Sequence, residues 1–311
     1  MWLCLAVLAG LYLLWRWHRE RQIVPRLLEK YVLITGCDSG FGNLLARQLD
    51  MRGLQVLAAC LTEAGAARLR ADASPRLQTI LLDVTSSQSI AATTAWVRER
   101  VGNRGLWGLV NNAGIGVPLS PVEWLNKDDF VKVLDVNLVG LIEVTVSLLP
   151  LLCQAQGRVV NVASVMGCIA IFSGGYCISK FGVEAFSDSL RCEMCPFGVE
   201  VSIIEPGCFQ TRMTEPAGVM NSLQHLWEQL PPGTQAVYGH HYLETYVKAA
   251  VVVHRLGSTR LSQVTDVIEH ALLARFLRSR YSAGWDAWLL FLPLSYCPSW
   301  LTDALMSLIQ P

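Results

Sequence analysis

Short apolar runs alternate with longer stretches of helical period through the middle of the chain. Tyr31-Val32-Leu33-Ile34, Gln55–Cys60, Thr79-Ile80-Leu81-Leu82, Trp107–Val110, Gly157–Ala163 and Glu200–Ile204 are the runs, and β-branched residues are common in them. Between them lie stripes such as Leu44, Leu45, Ala46 and Leu49, then Trp96, Val97 and Val101, a long pattern over 130–149, and Phe181, Val183, Ala185, Phe186 and Leu190. Strands that alternate with helices predict a parallel sheet covered on both faces. The expected fold class is therefore α/β, a Rossmann-type doubly wound sheet.

Both ends of the chain are apolar in a different way. Trp2 to Trp15 carries no charge, and Arg16, His18, Arg19, Glu20, Arg21 and Arg26 follow it. The run is shorter than the roughly 20 residues that span a bilayer upright, but tryptophans mark its two edges as at a membrane interface. A signal peptide would need a basic start and a small-residue cleavage site, and neither is present. Residues 1–22 are expected to be an N-terminal membrane anchor with a basic flank. The arginines after it point to a cytosolic domain.

Trp285 to Ile309 holds Trp288, Leu289, Leu290, Phe291, Leu292, Trp300, Leu301, Leu305 and Leu308, interrupted by Pro293 and Pro298. The prolines argue against one spanning helix. An apolar C-terminal helical extension over 281–311, either dipping into lipid or covering a cleft, is expected beside a main domain over 28–280. The segment 205–260 is expected to cover the substrate, with 213–240 read as an uncharged loop.

Composition removes several function classes. Charged residues make up 16% of the 311, against about 25% in ordinary soluble domains, and the net charge is zero. Without a basic run inside the domain, nucleic acid is not an expected partner. Of the ten cysteines only Cys192-Glu193-Met194-Cys195 has a metal or redox spacing, and no second pair accompanies it. No metal is expected.

The chemistry begins at the first strand, which feeds Thr35-Gly36-Cys37-Asp38-Ser39-Gly40-Phe41-Gly42 and then a helical stripe. Strand, glycine turn and helix in this order let a backbone approach a pyrophosphate at a helix N-terminus. The second run ends in Cys60-Leu61-Thr62, with no base to meet a 2′-phosphate, and Asp38 would repel one. NAD is expected over NADP. Asp83, after the third run, could accept from an adenine amino group or cap the next helix. Asn111-Asn112-Ala113-Gly114 closes the fourth run with a small-residue turn that leaves room for a ribose. Pro206, Gly207 and Thr211 follow the sixth run, where they can flank a nicotinamide amide.

The reacting groups are expected on Tyr176-Cys177-Ile178-Ser179-Lys180, which follows Ser173-Gly174-Gly175 and opens a helix. Residues i and i+4 share a face, so phenol and ammonium can point into one cleft, and the cation would favour a phenolate. Ser164 ends the fifth strand, at the ligand crevice of such a sheet. Asn137, between Val136 and Leu138, is a buried amide suited to a link in a proton relay.

With these elements in order, the chain resembles the short-chain dehydrogenase/reductases over about residues 30 to 215. Ile34 to Gly42, Gly174-Gly175-Tyr176-Cys177, Glu184 to Ser189 and Arg280 to Ala287 are similar to the membrane-bound retinol and hydroxysteroid dehydrogenase branch. The resemblance implies an NAD-dependent alcohol dehydrogenase of lipophilic alcohols, on the endoplasmic reticulum membrane, with a second copy of the chain as a partner. It implies Tyr176 as acid/base, Lys180 lowering its pKa and holding the nicotinamide ribose, Ser164 orienting the substrate oxygen, and Asn137 anchoring a water relay. The turn Gly36, Asp38, Ser39, Gly40, Phe41, Gly42, with Cys60, Leu61, Asp83, Asn111, Ala113 and Gly114, would hold the rest of the cofactor. Two departures stand out, since Cys168 in one place and Cys192 and Cys195 in another stand where the branch carries basic residues. A silent scaffold that binds lipid or cofactor is the alternative, against which Ser164, Tyr176, Lys180 and Asn137 are all intact.

Overall fold

The computed structural model describes residues 7, 10–11, 14–15, 18–171 and 174–307. Trp2, Arg16, Ser173, Leu308 and Ile309, named above, lie outside them. Seven strands form one parallel sheet: β1 Tyr31–Ile34, β2 Gln55–Cys60, β3 Leu77–Leu81, β4 Gly108–Asn111, β5 Arg158–Val162, β6 Glu200–Pro206 and β7 Arg280–Ala283. Their spatial order is β3-β2-β1-β4-β5-β6-β7, so the winding reverses between β1 and β4, and ligand crevices form at such a reversal. The seventh strand was not expected, and it straddles the boundary at residue 280.

Adjacent residues of one strand serve opposite faces. Val32 and Ile34 of β1 join Leu45, Leu49, Ile268 and Leu272, from helices α1 (Gly40–Met51) and α8 (Ser262–Leu273), in one core. Leu33 points the other way, to a core with Val97, Leu148 and Leu190. These come from α3 (Ser87–Val101), α4 (Lys127–Ala155) and α5 (Gly174–Met194). Burial on both faces is why the strands read as continuous apolar runs. α2 (Glu63–Ala71) is capped by the Thr62 hydroxyl, which accepts from Gly65 N at 3.0 Å.

Among the described residues α4 is the one helix long and apolar enough to cross a membrane. It lies on the sheet, with Leu141, Val144, Leu148 and Leu152 buried. Its regular winding is interrupted by a π turn, Asp135–Val139.

The segment 213–240 is not a loop, and it carries Glu215 and Glu228. α6 (Pro216–Gln229) and α7 (Pro232–Leu256) fill it, each with a proline in its first turn. They build their own small core from Trp124, Leu223, Trp227, Leu243 and Tyr246. At the C-terminus two short helices, Leu292–Ser295 and Ser299–Met306, are separated by Pro298. Trp288, Leu289, Tyr296 and Trp300 are mostly exposed there, while Leu294 packs against Ile169.

The N-terminal segment is fastened to the domain. Ile23 bridges Ala274, Val24 N donates to Leu273 O at 2.8 Å, and Arg275 N donates to Gln22 O at 2.7 Å. Arg278 pairs with Glu20, and His270 lies between the Glu20 carbonyl and the Tyr281 hydroxyl, 2.9 Å from each.

Candidate active site

The glycine turn is built around Thr35 and Asn112. The Thr35 hydroxyl accepts from Asn112 N and Ala113 N, both at 3.0 Å. The Asn112 amide donates back to Thr35 O and Gly36 O at 2.9 and 3.1 Å. Gly36 sits at φ 71°, and an added Cβ there would meet Ala113 Cα at 2.8 Å. Gly40, at φ 62°, faces open space, and Ser39 makes no side-chain cap for α1. The first N–H groups of that helix are thus left for an anion, which suits a dinucleotide pyrophosphate.

Asp38 crosses to the end of β2. Its carboxylate accepts from Leu61 N at 2.7 Å, Thr62 N at 3.0 Å and the Thr62 hydroxyl at 2.6 Å. A side chain at Gly65 would overlap this carboxylate, so the small residue there is part of the arrangement. The end of β2 thus gains a carboxylate from the first turn. Cys60 does not line the crevice: its thiol is fully buried in the core, and burial pushes it up to about 12. Leu61, 62% exposed, is what the turn presents.

Two further expectations are corrected. Asp83 is not the cap of α3. It accepts from the Thr85 amide and hydroxyl at 2.9 and 2.7 Å, and Ser86 is the cap. The Asn111 side chain does not reach the crevice. It is 2% exposed and donates to the Thr145 hydroxyl and Asn161 Oδ1, both at 2.8 Å, because strand alternation turns it toward α4. Asn112, one residue on, faces the turn instead.

Asn137 lies in the π turn, fully buried. Its amide donates to Ile115 O at 2.9 Å and the Ser179 hydroxyl at 3.0 Å, and its oxygen accepts from Ile115 N at 2.8 Å. Ser179 in turn donates to Tyr176 O at 2.7 Å. The side chain therefore ties the loop after Gly114 to the first turn of α5, and both of its N–H donors are occupied. Widened π turns recur at functional positions.

Ser164, Tyr176 and Lys180 come together at the C-terminal end of β5. The Ser164 hydroxyl accepts from Met166 N at 3.2 Å, donates to Pro206 O at 3.5 Å and lies near enough to the Tyr176 phenol to influence its titration. Lys180 is 5% exposed, and its ammonium donates to Val162 O at 2.8 Å, 5.6 Å from the Tyr176 ring centre. Burial pushes Tyr176 up to about 12, with Ser164 pulling the other way. Lys180 is brought down to about 8 by burial, opposed by Glu184. Lys180 was expected to lower the phenol, but it is not among the groups that shift Tyr176 here, where burial dominates. Desolvation outweighs a cation held on a carbonyl.

Beside β6, the motif Arg280 to Ala287 finds its purpose. Gly207 N donates to Ala283 O at 2.8 Å, and Cys208 N to the buried Asp286 carboxylate at 2.6 Å. This holds the Pro206-Gly207 turn against β7. Thr211 N is met by the Thr214 hydroxyl at 3.2 Å, which also donates to Phe209 O. Arg280 pairs with Glu184, with Glu205 at 2.9 Å and with Asp188 at 2.6 Å. Cys168, Glu184 and Glu205 bring three metal-capable atoms within 4.8 Å of one another, but Arg280 already engages both Glu184 and Glu205. The cation missing at position 168 is thus supplied from β7. Cys192 and Cys195 are exposed free thiols at the far end of α5.

Gly65 and Thr214 do not stand out in the sequence, while Asn112 and Asp286 fall inside quoted motifs without a role of their own. Asn112 adjoins a residue that was named, whereas the other three act through contacts distant along the chain or in a segment misread as loop.

Residues 30–221 match the short chain dehydrogenase family. The chain is 59% identical to retinol dehydrogenase 16 of Mus musculus over 306 residues, 98% of this chain and 96% of the relative. It is 55% identical to 17-beta-hydroxysteroid dehydrogenase type 6 of Homo sapiens over 311 residues, 100% and 98% of the two chains. A short-chain dehydrogenase from Streptomyces avermitilis shares the fold, with a TM-score of 0.69 at 24% identity over 89% of this chain and 93% of that one.

Proposed function

From the premise that this chain belongs to the short-chain dehydrogenase family and is an oxidoreductase using a nicotinamide cofactor, we propose that it interconverts a lipophilic alcohol, a retinol or a hydroxysteroid, and its carbonyl compound. The observation that carries this reading is the gathering of Ser164, Tyr176 and Lys180 at the C-terminal end of β5, with Ser164 beside the phenol and the buried Lys180 one helical turn further on. Ser164 orients the substrate oxygen, and Tyr176 exchanges the proton with it. Lys180 holds the nicotinamide ribose, and Asn137 keeps the first turn of α5 in register with the loop after β4. When bound, the cofactor supplies hydride transfer at the nicotinamide.

NAD is the proposed cofactor. A 2′-phosphate would meet the Asp38 carboxylate and the exposed Leu61, where it needs a cation. Gly36, Ser39, Gly40, Phe41 and Gly42 take the pyrophosphate. Ala113 and Gly114 line the ribose, and Pro206, Gly207 and Thr211 flank the nicotinamide amide.

The identity to a retinol dehydrogenase and a hydroxysteroid dehydrogenase supports the substrate class. Membrane attachment, on the endoplasmic reticulum with a cytosolic catalytic domain, is part of the same reading. Exposed Val7, Leu11, Leu14 and Trp15 favour it, and so do Trp288, Leu289 and Trp300 near the other end. A homodimer is the proposed assembly. The test is turnover of retinol and of an androstane-type alcohol by the full-length chain with NAD and with NADP. NADH formation with either alcohol is expected, and no reduction of either cofactor would sink the proposal.

A further inference from the structure

A cavity of about 400 Å³ opens at the N-terminal ends of β1 and β4, the end of the sheet opposite Tyr176. Three cations line it, Arg26, Lys30 and Arg104, against one carboxylate, Glu29. Among the described residues none of the three cations forms an ion pair.

Aromatic residues hold two of them in place. The Lys30 ammonium stands 3.2 Å from the centre of the Trp107 ring. Arg104 lies over Tyr31 at 4.8 Å and donates one N–H to its hydroxyl at 2.8 Å. Arg26 has a left-handed backbone, φ 58°, which residues other than glycine seldom adopt. Behind Trp107 sits the buried Arg158, 5.0 Å from the ring, with its Nε unpartnered. Burial and this arginine bring Lys30 down to about 8, with Glu29 pulling the other way, as for a cation crowded by another.

We propose that this cavity binds a phosphate group, carried by an acidic lipid headgroup or free in solution. Arginine meets phosphate in a fork of two N–H groups, and Lys30 adds a point charge. The lipid source follows from position. Pro25 and Arg26 come directly after the Ile23–Ala274 bridge that fastens the apolar N-terminal segment. Basic pockets at such a place collect anionic headgroups. The lipid arm rests on the membrane attachment proposed above, and the phosphate chemistry does not.

The test uses the full-length chain in a nonionic detergent, titrated separately with dihexanoyl phosphatidic acid, dihexanoyl phosphatidylcholine and inorganic phosphate. The readout is the rate of amine labelling at Lys30 by peptide mass, with heats of binding alongside. Phosphatidic acid is expected to protect Lys30 saturably and phosphatidylcholine not. Arg26→Gln and Arg104→Gln are each expected to weaken that binding roughly fivefold, and Arg104→Lys to restore part of it. Protection by phosphatidic acid alone assigns the lipid source, and protection by inorganic phosphate assigns the group itself. Equal protection by both lipids, no protection by any of the three, or variants that fold and bind as the wild type does would overturn the site. The wild-type comparison decides even where a variant does not fold. Flotation of the wild type on phosphatidylcholine vesicles reports separately on the anchor.

Discussion

Tyr176 and Lys180 share a face of one helix without sharing a hydrogen bond: the ammonium donates to Val162 O at 2.8 Å and stands 5.6 Å from the phenol ring centre. The group that pulls the phenol down against burial is Ser164, whose hydroxyl also donates to Pro206 O at 3.5 Å. Ser164→Ala should therefore raise the Tyr176 titration further, seen as phenolate absorbance appearing at higher pH, and lower kcat about a hundredfold. Tyr176→Phe should lose about a thousandfold or more in kcat while NADH binding stays within a few-fold. Substantial turnover by Tyr176→Phe would remove the proton-transfer role.

Lys180 should cost the fold stability that its function requires. Burial brings it from 10.5 to about 8, so the charged form is penalised in the folded state. The penalty, roughly 3 kcal/mol, is fully present below pH 8 and is relieved as pH rises toward 10.5. Lys180→Met removes it but leaves the Val162 carbonyl without its donor. The variant is expected to be inactive, with a Tm near or above that of the wild type at pH 7. Its advantage should shrink as pH approaches 10. A Tm difference independent of pH would contradict this account.

What could be read from the sequence follows the range of the contacts. The glycine turn, the Tyr176/Lys180 pair and the apolar strands are local patterns, and they are where the sequence placed them. Asn111 was misassigned because a one-residue difference in parity decides which face a side chain serves. Asp38 reaches Leu61 and Thr62, and Arg280 reaches Glu184, across 23 and 96 residues. No local pattern encodes such pairings. The strand at Arg280–Ala283 holds an arginine and a serine, so it looks unlike the central strands. The helices over 216–256 were hidden by prolines that in fact start them.

Asp286 sets the turn at Pro206-Gly207 through Cys208 N. Asp286→Ala leaves that buried N–H unmet, at a cost of about 1–3 kcal/mol. Cofactor KM should rise about tenfold with a smaller change in kcat, since the residue positions the turn and touches no reacting atom. A loss confined to kcat would assign it a different role.

The N-terminal segment adds stability through its contacts with the domain. Truncation before residue 18 keeps Glu20 and the pairing of residues 22–24 with 273–275, whereas truncation after Val24 removes the Arg278–Glu20 pair and exposes His270. The shorter truncation should melt like the full chain. The longer one should melt roughly 5 °C or more lower, the shift expected for a few lost hydrogen bonds in a domain of this size. Equal melting temperatures would mean that the segment is only a tether.

On the proposed reading the cofactor choice turns on Asp38, whose carboxylate has two consequences. It presents negative charge where a 2′-phosphate would lie, and it holds Leu61 and Thr62 by three hydrogen bonds. Asp38→Asn therefore does more than remove repulsion, because an amide has one acceptor oxygen where the carboxylate has two. The efficiency with NAD, kcat/KM, is expected to fall about tenfold in this variant as the turn loosens, with little gain for NADP. Leu61→Arg leaves the turn intact and adds a guanidinium at its exposed corner, where it can meet a phosphate. That variant should gain ten- to a hundredfold in NADP efficiency, on the scale of one charge-assisted contact, while NAD efficiency changes little. Wild-type enzyme equally efficient with both cofactors would show that a base from elsewhere, such as Arg68 or Arg70 on α2, already reaches the phosphate. Leu61→Arg would then add nothing.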